Sequence, residues 1–318
     1  MSSFDQITKI REQLSHQIIG QENLITRIMI TLLADGHLLV EGAPGLAKTK
    51  AISTLSRYIQ CQFQRVQFTP DLLPSDITGT DIFRAETGEF SFKAGPIFSQ
   101  IVLADEINRA PAKVQSALLE AMSERQVTVG NKTYDLPELF MVMATQNPLE
   151  QEGTYPLPEA QLDRFLMHVW VDYPNAQAER DILKLIRLEQ HKAPLSEVSI
   201  STDSIIEARK EVLDVHMAAA VEEYIVQLVM ATREPSNYSA ELTSALACGV
   251  SPRATIALDR CSRAHAWLDG RDFVTPQDVQ AIAPDILRHR LWLSFDAQAK
   301  GLTSIDVVNM LLDLVPVA

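Results

Sequence analysis

Lys48 and Thr49 close the stretch Gly42-Ala43-Pro44-Gly45-Leu46-Ala47-Lys48-Thr49, which follows the apolar run Leu38-Leu39-Val40. A bound polyphosphate needs backbone N–H donors, a cation and a hydroxyl for its metal. A strand, a glycine-containing loop, a Lys and a Thr at a helix start supply these in order. The stretch therefore reads as a nucleotide phosphate loop. It departs from G-x-x-x-x-G-K-[ST] where Ala47 takes the place of the second glycine. Ala47 donates its N–H at no cost with helical dihedrals and is penalised if the loop requires a positive φ; the letters leave both open.

A second constellation lies in Gln100-Ile101-Val102-Leu103-Ala104-Asp105-Glu106. The apolar run suits a central parallel strand, and ligands of open α/β sheets sit where such strands end. There Asp105 is placed to hold Mg²⁺ through its water shell, and Glu106 to orient and deprotonate an attacking water. Phe140-Met141-Val142-Met143-Ala144-Thr145 is a further strand whose tip, Gln146-Asn147-Pro148, carries an amide expected beside Asp105. Arg164, in Leu162-Asp163-Arg164-Phe165, satisfies Asp163 or faces a neighbouring subunit's phosphates. Arg253, in the helix-start signal Ser251-Pro252-Arg253, reaches a nucleotide when its domain closes as a lid, or is a solvated first-turn arginine. Upstream, Ile18-Ile19-Gly20 is either a wall for an adenine ring or a helix break with two core isoleucines.

The elements that must position these groups follow from periodicity. Residues 4–33 have helical spacing interrupted at 18–22, and a helix is expected over about 48–59. Phe63 to Phe68 alternates like a strand, and Leu166 to Val171 is a last short one. Hairpins are predicted at about 82–92, turning at Ala85-Glu86-Thr87-Gly88, and at about 125–136, turning at Gly130-Asn131. Pro111 opens a helix with Val114, Leu118 and Met122 on one face. Pro174 ends the first domain, residues 1–173, and from Asn175 a helix over about 176–190 begins a helical second domain, 174–318. Thr275-Pro276-Gln277-Asp278 and Thr303-Ser304-Ile305-Asp306 are capping boxes within it.

At 318 residues, 46% of them hydrophobic and 22% charged, the chain has the composition of an ordinary globular protein with room for two domains. Its net charge of -13 is spread evenly: residues 1–173 carry 14 basic and 21 acidic side chains, residues 174–318 carry 14 and 20. Neither half is a basic domain, so general nucleic-acid affinity is disfavoured. Cys61, Cys248 and Cys261 are odd in number and widely spaced, as expected of a reducing compartment. With no signal pattern at the start and no membrane-length apolar run, a cytoplasmic protein is expected. The seven histidines form no zinc motif.

The order and spacing of these elements resemble AAA+ ATPases of the MoxR type over nearly the whole chain. Gly42 to Thr49 resembles the family's Walker A loop, in which Ala before the Lys is familiar, and Leu103-Ala104-Asp105-Glu106-Ile107-Asn108-Arg109-Ala110 its Walker B strand and exit. Asn147 falls on sensor 1, Arg164 on the arginine finger and Arg253 on sensor 2; the two hairpins resemble the helix-2 insert and the pre-sensor 1 hairpin. The resemblance implies a P-loop AAA+ α/β domain with a parallel sheet, an all-helical lid, and a ring of subunits, expected to be a hexamer, with ATP and Mg²⁺ at the contacts. It also implies chaperone-like work in assembling protein complexes or inserting metal cofactors, with a von Willebrand A-domain partner and a protein client. The rival expectations are a nucleic-acid motor of the same branch and an ATP-loaded scaffold with little turnover.

Overall fold

The computed structural model describes residues 2–86, 88–148, 153–189 and 199–317. Thr87, in the expected first hairpin turn, and residue 190, at the expected end of a helix, lie outside the described residues.

Five parallel strands make the main sheet: β1 (Leu38–Gly42), β2 (Phe63–Gln67), β3 (Ile101–Asp105), β4 (Met141–Gln146) and β5 (Met167–Val171). Their order across the sheet is β5-β1-β4-β3-β2. The chain leaves β1 for the far edge and steps back through β3 and β4 to β1, so the phosphate loop, Asp105 and Gln146 all emerge at one end of the sheet's centre. That is the crevice in which open α/β sheets bind ligands.

The unbroken apolar runs of β1, β3 and β4 follow from burial on both faces. Alternate residues enter different cores. Leu38, Val40, Leu103, Met141 and Met143 join one, which continues into the C-terminal half through Ile205, Tyr224, Leu258, Ile282 and Ile286. Leu39, Val102, Ala104, Phe140 and Val142 join the other, against Val114, Leu118 and Met122 of the helix Ala112–Glu124. The helical spacing read from Val114, Leu118 and Met122 is thus the stripe that closes the second face.

At the N-terminus the helices Ser3–Gln17 and Glu22–Leu33 are separated by the expected break. The predicted hairpins pair Gly79–Arg84 with Glu89–Ala94 and Gln126–Val129 with Lys132–Asp135. Stacking of Phe92 on Tyr134, with ring centroids 4.1 Å apart, joins them.

The boundary expected after residue 173 falls between β5 and the helix Ala176–Glu189. Beyond it the principal elements are helices, including Thr202–Asp214, Ala219–Arg233, Pro252–Leu268, Pro276–Leu287 and Ser304–Leu314. Both predicted capping boxes form, at Thr275/Asp278 and Thr303/Asp306. One difference from an all-helical expectation is a short antiparallel ribbon, Leu246–Cys248 with Trp292–Leu293. Strands of two and three residues are too short to show a period. The two halves are pinned together by a buried ion pair, Arg27 Nε donating to Asp285 Oδ2 at 2.7 Å, and by a partly buried one, Arg290 Nε to Asp163 Oδ1 at 2.8 Å. Removing one partner of the buried pair costs about 3–5 kcal/mol, because a charge is left buried without it.

Candidate nucleotide site

A cleft of about 530 Å³ opens at the C-terminal end of the sheet, lined by Pro44 to Lys50, Asp105, Glu106, Thr145 and Asn147. Its size falls within the range of small-ligand sites. The loop is shaped by two residues in the left-handed region. Gly45, at φ +83°, would meet nothing within 4 Å if it carried a Cβ, so glycine serves conformation there rather than space. Ala47, at φ 58° and ψ 14°, takes the costlier of its two alternatives and immediately precedes the helix Lys48–Tyr58. A left-handed alanine costs about 1–2 kcal/mol, a local strain held at the point where phosphate would sit.

Lys48 is buried, and its Nζ donates to the carbonyl oxygens of Gly42 and, at 3.0 Å, Gln146. It thus ties the end of β1 to the end of β4 across the cleft. Thr49 Oγ1 lies 3.4 Å from Asp105 Oδ2. These two oxygens, on facing elements, suit the hard, oxygen-ligated Mg²⁺. The other Asp105 oxygen, Oδ1, accepts from Thr145 Oγ1 at 2.6 Å, and the same hydroxyl accepts from the Glu106 N–H at 2.9 Å. Thr145 therefore orients both acidic residues. Glu106 leaves the strand at φ 57° and ψ 51°, which turns it out of the sheet's line. Its Oε2 accepts from Gln67 Nε2 at 2.7 Å and from Arg109 Nη1 at 3.1 Å.

Ile18, a core residue only 1% exposed, and Ile19 line the same cleft together with Ile182, Leu185 and Ile186 of the helix Ala176–Glu189, an apolar stretch of its wall. Gly20 has a different role. At φ +79°, with a notional Cβ only 2.8 Å from that of Ala178, it lets the N-terminal segment pack on the start of this helix.

Arg164 and Arg253 are not among the side chains lining this cleft. They are brought together at another, of about 290 Å³, with Asp163, Arg260 and Arg290. Arg164 Nη1 donates to the Leu119 carbonyl at 2.7 Å rather than to Asp163. Asp163 is instead held by Arg290 and by Ser251 Oγ, which donates to it at 2.8 Å and accepts from the Arg253 N–H. Arg253 Nη1 stands 3.8 Å from Asp163. The structure thus places Arg253 beside Arg164 instead of over the nucleotide cleft of its own chain.

Sequence reasoning passed over Arg65, Gln67, Thr145 and Arg109. All four touch Asp105 or Glu106. The signal that could have found the first three is position: polar residues close to the C-terminal ends of β2 and β4, two strands flanking β3.

Comparison with known proteins gives the family. The model of an ATPase family associated with various cellular activities (AAA) matches residues 37–167, and an AAA lid domain model matches residues 240–310. The chaperone MoxR1 of Mycobacterium tuberculosis is 45% identical over 299 residues, 94% of this chain and 78% of that protein. The chain belongs to the MoxR family of AAA+ ATPases. The uncharacterized protein YeaC of Bacillus subtilis is 44% identical over 309 residues, 97% of this chain and 94% of that protein. The MoxR protein of Paracoccus denitrificans is 35% identical over 87% and 86%. A crystal structure from Cytophaga hutchinsonii, of a protein provisionally described as an ATPase, superposes with a TM-score of 0.92 at 42% identity and covers 99% of this chain and 96% of that one. As a MoxR-family member the chain is an ATP hydrolase, with an AAA α/β domain and an AAA lid. Among the described residues no helix is long and apolar enough to cross a membrane.

Proposed function

We propose that this MoxR-family chain is a Mg²⁺-dependent, chaperone-like ATPase that works as a ring, with each nucleotide held by one subunit and completed by the next. The observation that carries this reading is the separation of two groups. Lys48, Thr49, Asp105, Glu106 and Asn147 converge on one cleft, whereas Arg164 and Arg253 gather at another. Phosphoryl transfer needs both a metal-and-water side and cations on the γ-phosphate. A second copy supplies the two arginines, Arg164 and Arg253, that do not line the first copy's cleft. On this reading Arg253 acts from the same side as Arg164, in place of closing over its own nucleotide.

Lys48 and the backbone N–H groups of residues 43–49 hold the phosphates, with Ile18 and Ile19 against the base. Thr49 and Asp105 would hold Mg²⁺, which when bound neutralises charge on the β- and γ-phosphates. Glu106 takes the proton of the attacking water, and Asn147, buried at the tip of β4, orders that water. The output is directed at a protein client, in assembling complexes or inserting metal cofactors, in a hexameric ring with a von Willebrand A-domain partner and in the cytoplasm. The name of the M. tuberculosis relative, a chaperone, supports the protein client. So does the hairpin Gly79–Arg84/Glu89–Ala94, which exposes Phe83 and Phe90 with ring centroids 5.2 Å apart. Glu106→Gln tests the hydrolytic assignment: it should retain ATP binding and lose about 100- to 10,000-fold in turnover. Unchanged turnover with ATP still bound would remove Glu106 from the chemistry.

A further inference from the structure

We propose that Arg65 is the protein's own stand-in for the nucleotide's metal: Asp105 exchanges the Arg65 guanidinium for Mg²⁺ as the site loads and takes it back as the product leaves. The inference rests on the reading of Asp105 as a metal-holding residue.

Asp105 is only 7% exposed, a carboxylate that is costly to leave without a cation. Its two oxygens are used differently. Oδ1 is bound by the Thr145 hydroxyl at 2.6 Å. Oδ2, the oxygen that faces Thr49, accepts two N–H groups from Arg65, Nη2 at 2.6 Å and Nε at 3.1 Å. Mg²⁺ demands nearly octahedral surroundings and keeps several waters, so the ion or one of its waters would need this same oxygen. A guanidinium forked onto the same oxygen would repel that ion and occupy its coordination space, so the two cations compete.

The competitor is built to leave. Arg65 lies on β2, the edge strand of the main sheet, and its side chain is 52% exposed even while paired. Departure need not open the core. It would also be felt at the general base. Arg65 Nη2 donates to Gln67 Oε1 at 3.2 Å, and Gln67 Nε2 donates to Glu106 Oε2 at 2.7 Å. Residues 65 and 67 share one face of the strand, so a single line of contacts runs from Asp105 through Arg65 and Gln67 to Glu106. When Arg65 leaves Asp105 this line breaks and the restraint on Glu106 loosens. The return of Arg65 restores it. Arg65 is in this sense a positioning residue, acting through Asp105 and Gln67 rather than on the nucleotide.

The test is binding of a fluorescent N-methylanthraniloyl-ADP to the full chain across a Mg²⁺ titration, with stopped-flow release of the same nucleotide. In Arg65→Gln the half-saturating Mg²⁺ concentration should fall about three- to tenfold, the scale expected for losing a half-exposed, forked ion pair. Release of the Mg²⁺-bound nucleotide should slow by a similar factor. Binding in EDTA should change by less than about twofold, which also reports that the variant is folded. Arg65→Lys keeps a cation without the fork and should fall between the two; it decides the matter if the glutamine variant does not fold. Asp105→Asn separates the two readings. If it removes the Mg²⁺ dependence while Arg65→Gln and Arg65→Lys leave the wild-type requirement unchanged, the metal assignment stands and the exchange is wrong. If Asp105→Asn also leaves the requirement unchanged, the metal reading itself falls.

Discussion

His37 offers a prediction whose size follows from the structure. It precedes β1 and is buried. Its Nδ1 accepts the Val142 N–H at 3.0 Å, and its Nε2 lies 3.2 Å from the Met122 carbonyl, to which it donates. It thus ties the phosphate-loop strand to β4 and to the helix Ala112–Glu124. A ring nitrogen that accepts a backbone N–H has no room for a proton. Burial first, and the nearby Arg125 charge second, push the imidazole down to about 4. The unfolded chain takes up its proton near 6.5, so between the two values the unfolded state binds more protons. This contribution is fully present above about pH 6.5 and is lost as pH falls toward about 4. Integrated from about pH 7 to about pH 4.5, the loss is about 2.5 kcal/mol. Urea unfolding of wild type and His37→Gln at those two pH values is the assay. His289, also held well below its ordinary value, chiefly by burial, acts in the same direction but cancels in the comparison. The glutamine variant should be less stable at neutral pH and lose about 2.5 kcal/mol less on acidification. Parallel losses in the two proteins, or an NMR titration of folded His37 near 6.5, would refute the reasoning.

Ala47→Gly relieves the left-handed alanine but adds unfolded-state freedom; the gain of about 1–2 kcal/mol exceeds the cost of about 0.5–1. A net rise of about 0.5–1 kcal/mol is expected by chemical denaturation, and a lower stability would show that the loop does not hold φ 58°. Arg27→Met leaves Asp285 buried, with Arg288 Nη2 at 3.2 Å still near it. The expected loss is about 3 kcal/mol, the low end for a broken buried pair. Denaturation curves within about 0.5 kcal/mol of wild type would show that the pair does not hold lid to core.

What was legible in the sequence was what periodicity or local chemistry encodes. The apolar runs 101–105 and 141–146 suited buried strands and form them, and their tips carry Asp105 and Asn147 into one cleft. The boxes at Thr275 and Thr303 marked helix starts through contacts within four residues, and both form. Less visible was anything decided by a distant neighbour. Whether Ala47 took a helical or a left-handed conformation depended on the whole loop's path. Arg65 and Gln67 looked like the polar positions of an ordinary strand until the sheet order set them beside Asp105 and Glu106. Arg253 carried a correct helix-start signal, yet only the packing of the lid against Asp163 sets it in the cleft that Arg164 also lines.

The claim that the two clefts are halves of one shared centre is tested most directly by ATP turnover per subunit as protein concentration rises, with Arg164→Ala mixed into wild type. Shared sites predict that specific activity climbs with concentration and that the variant lowers activity by more than its share of the mixture. Flat activity per subunit, with mixtures that fall in simple proportion to the wild-type fraction, would show that each chain works alone and that the Arg164 and Arg253 cleft does not complete a neighbour's site.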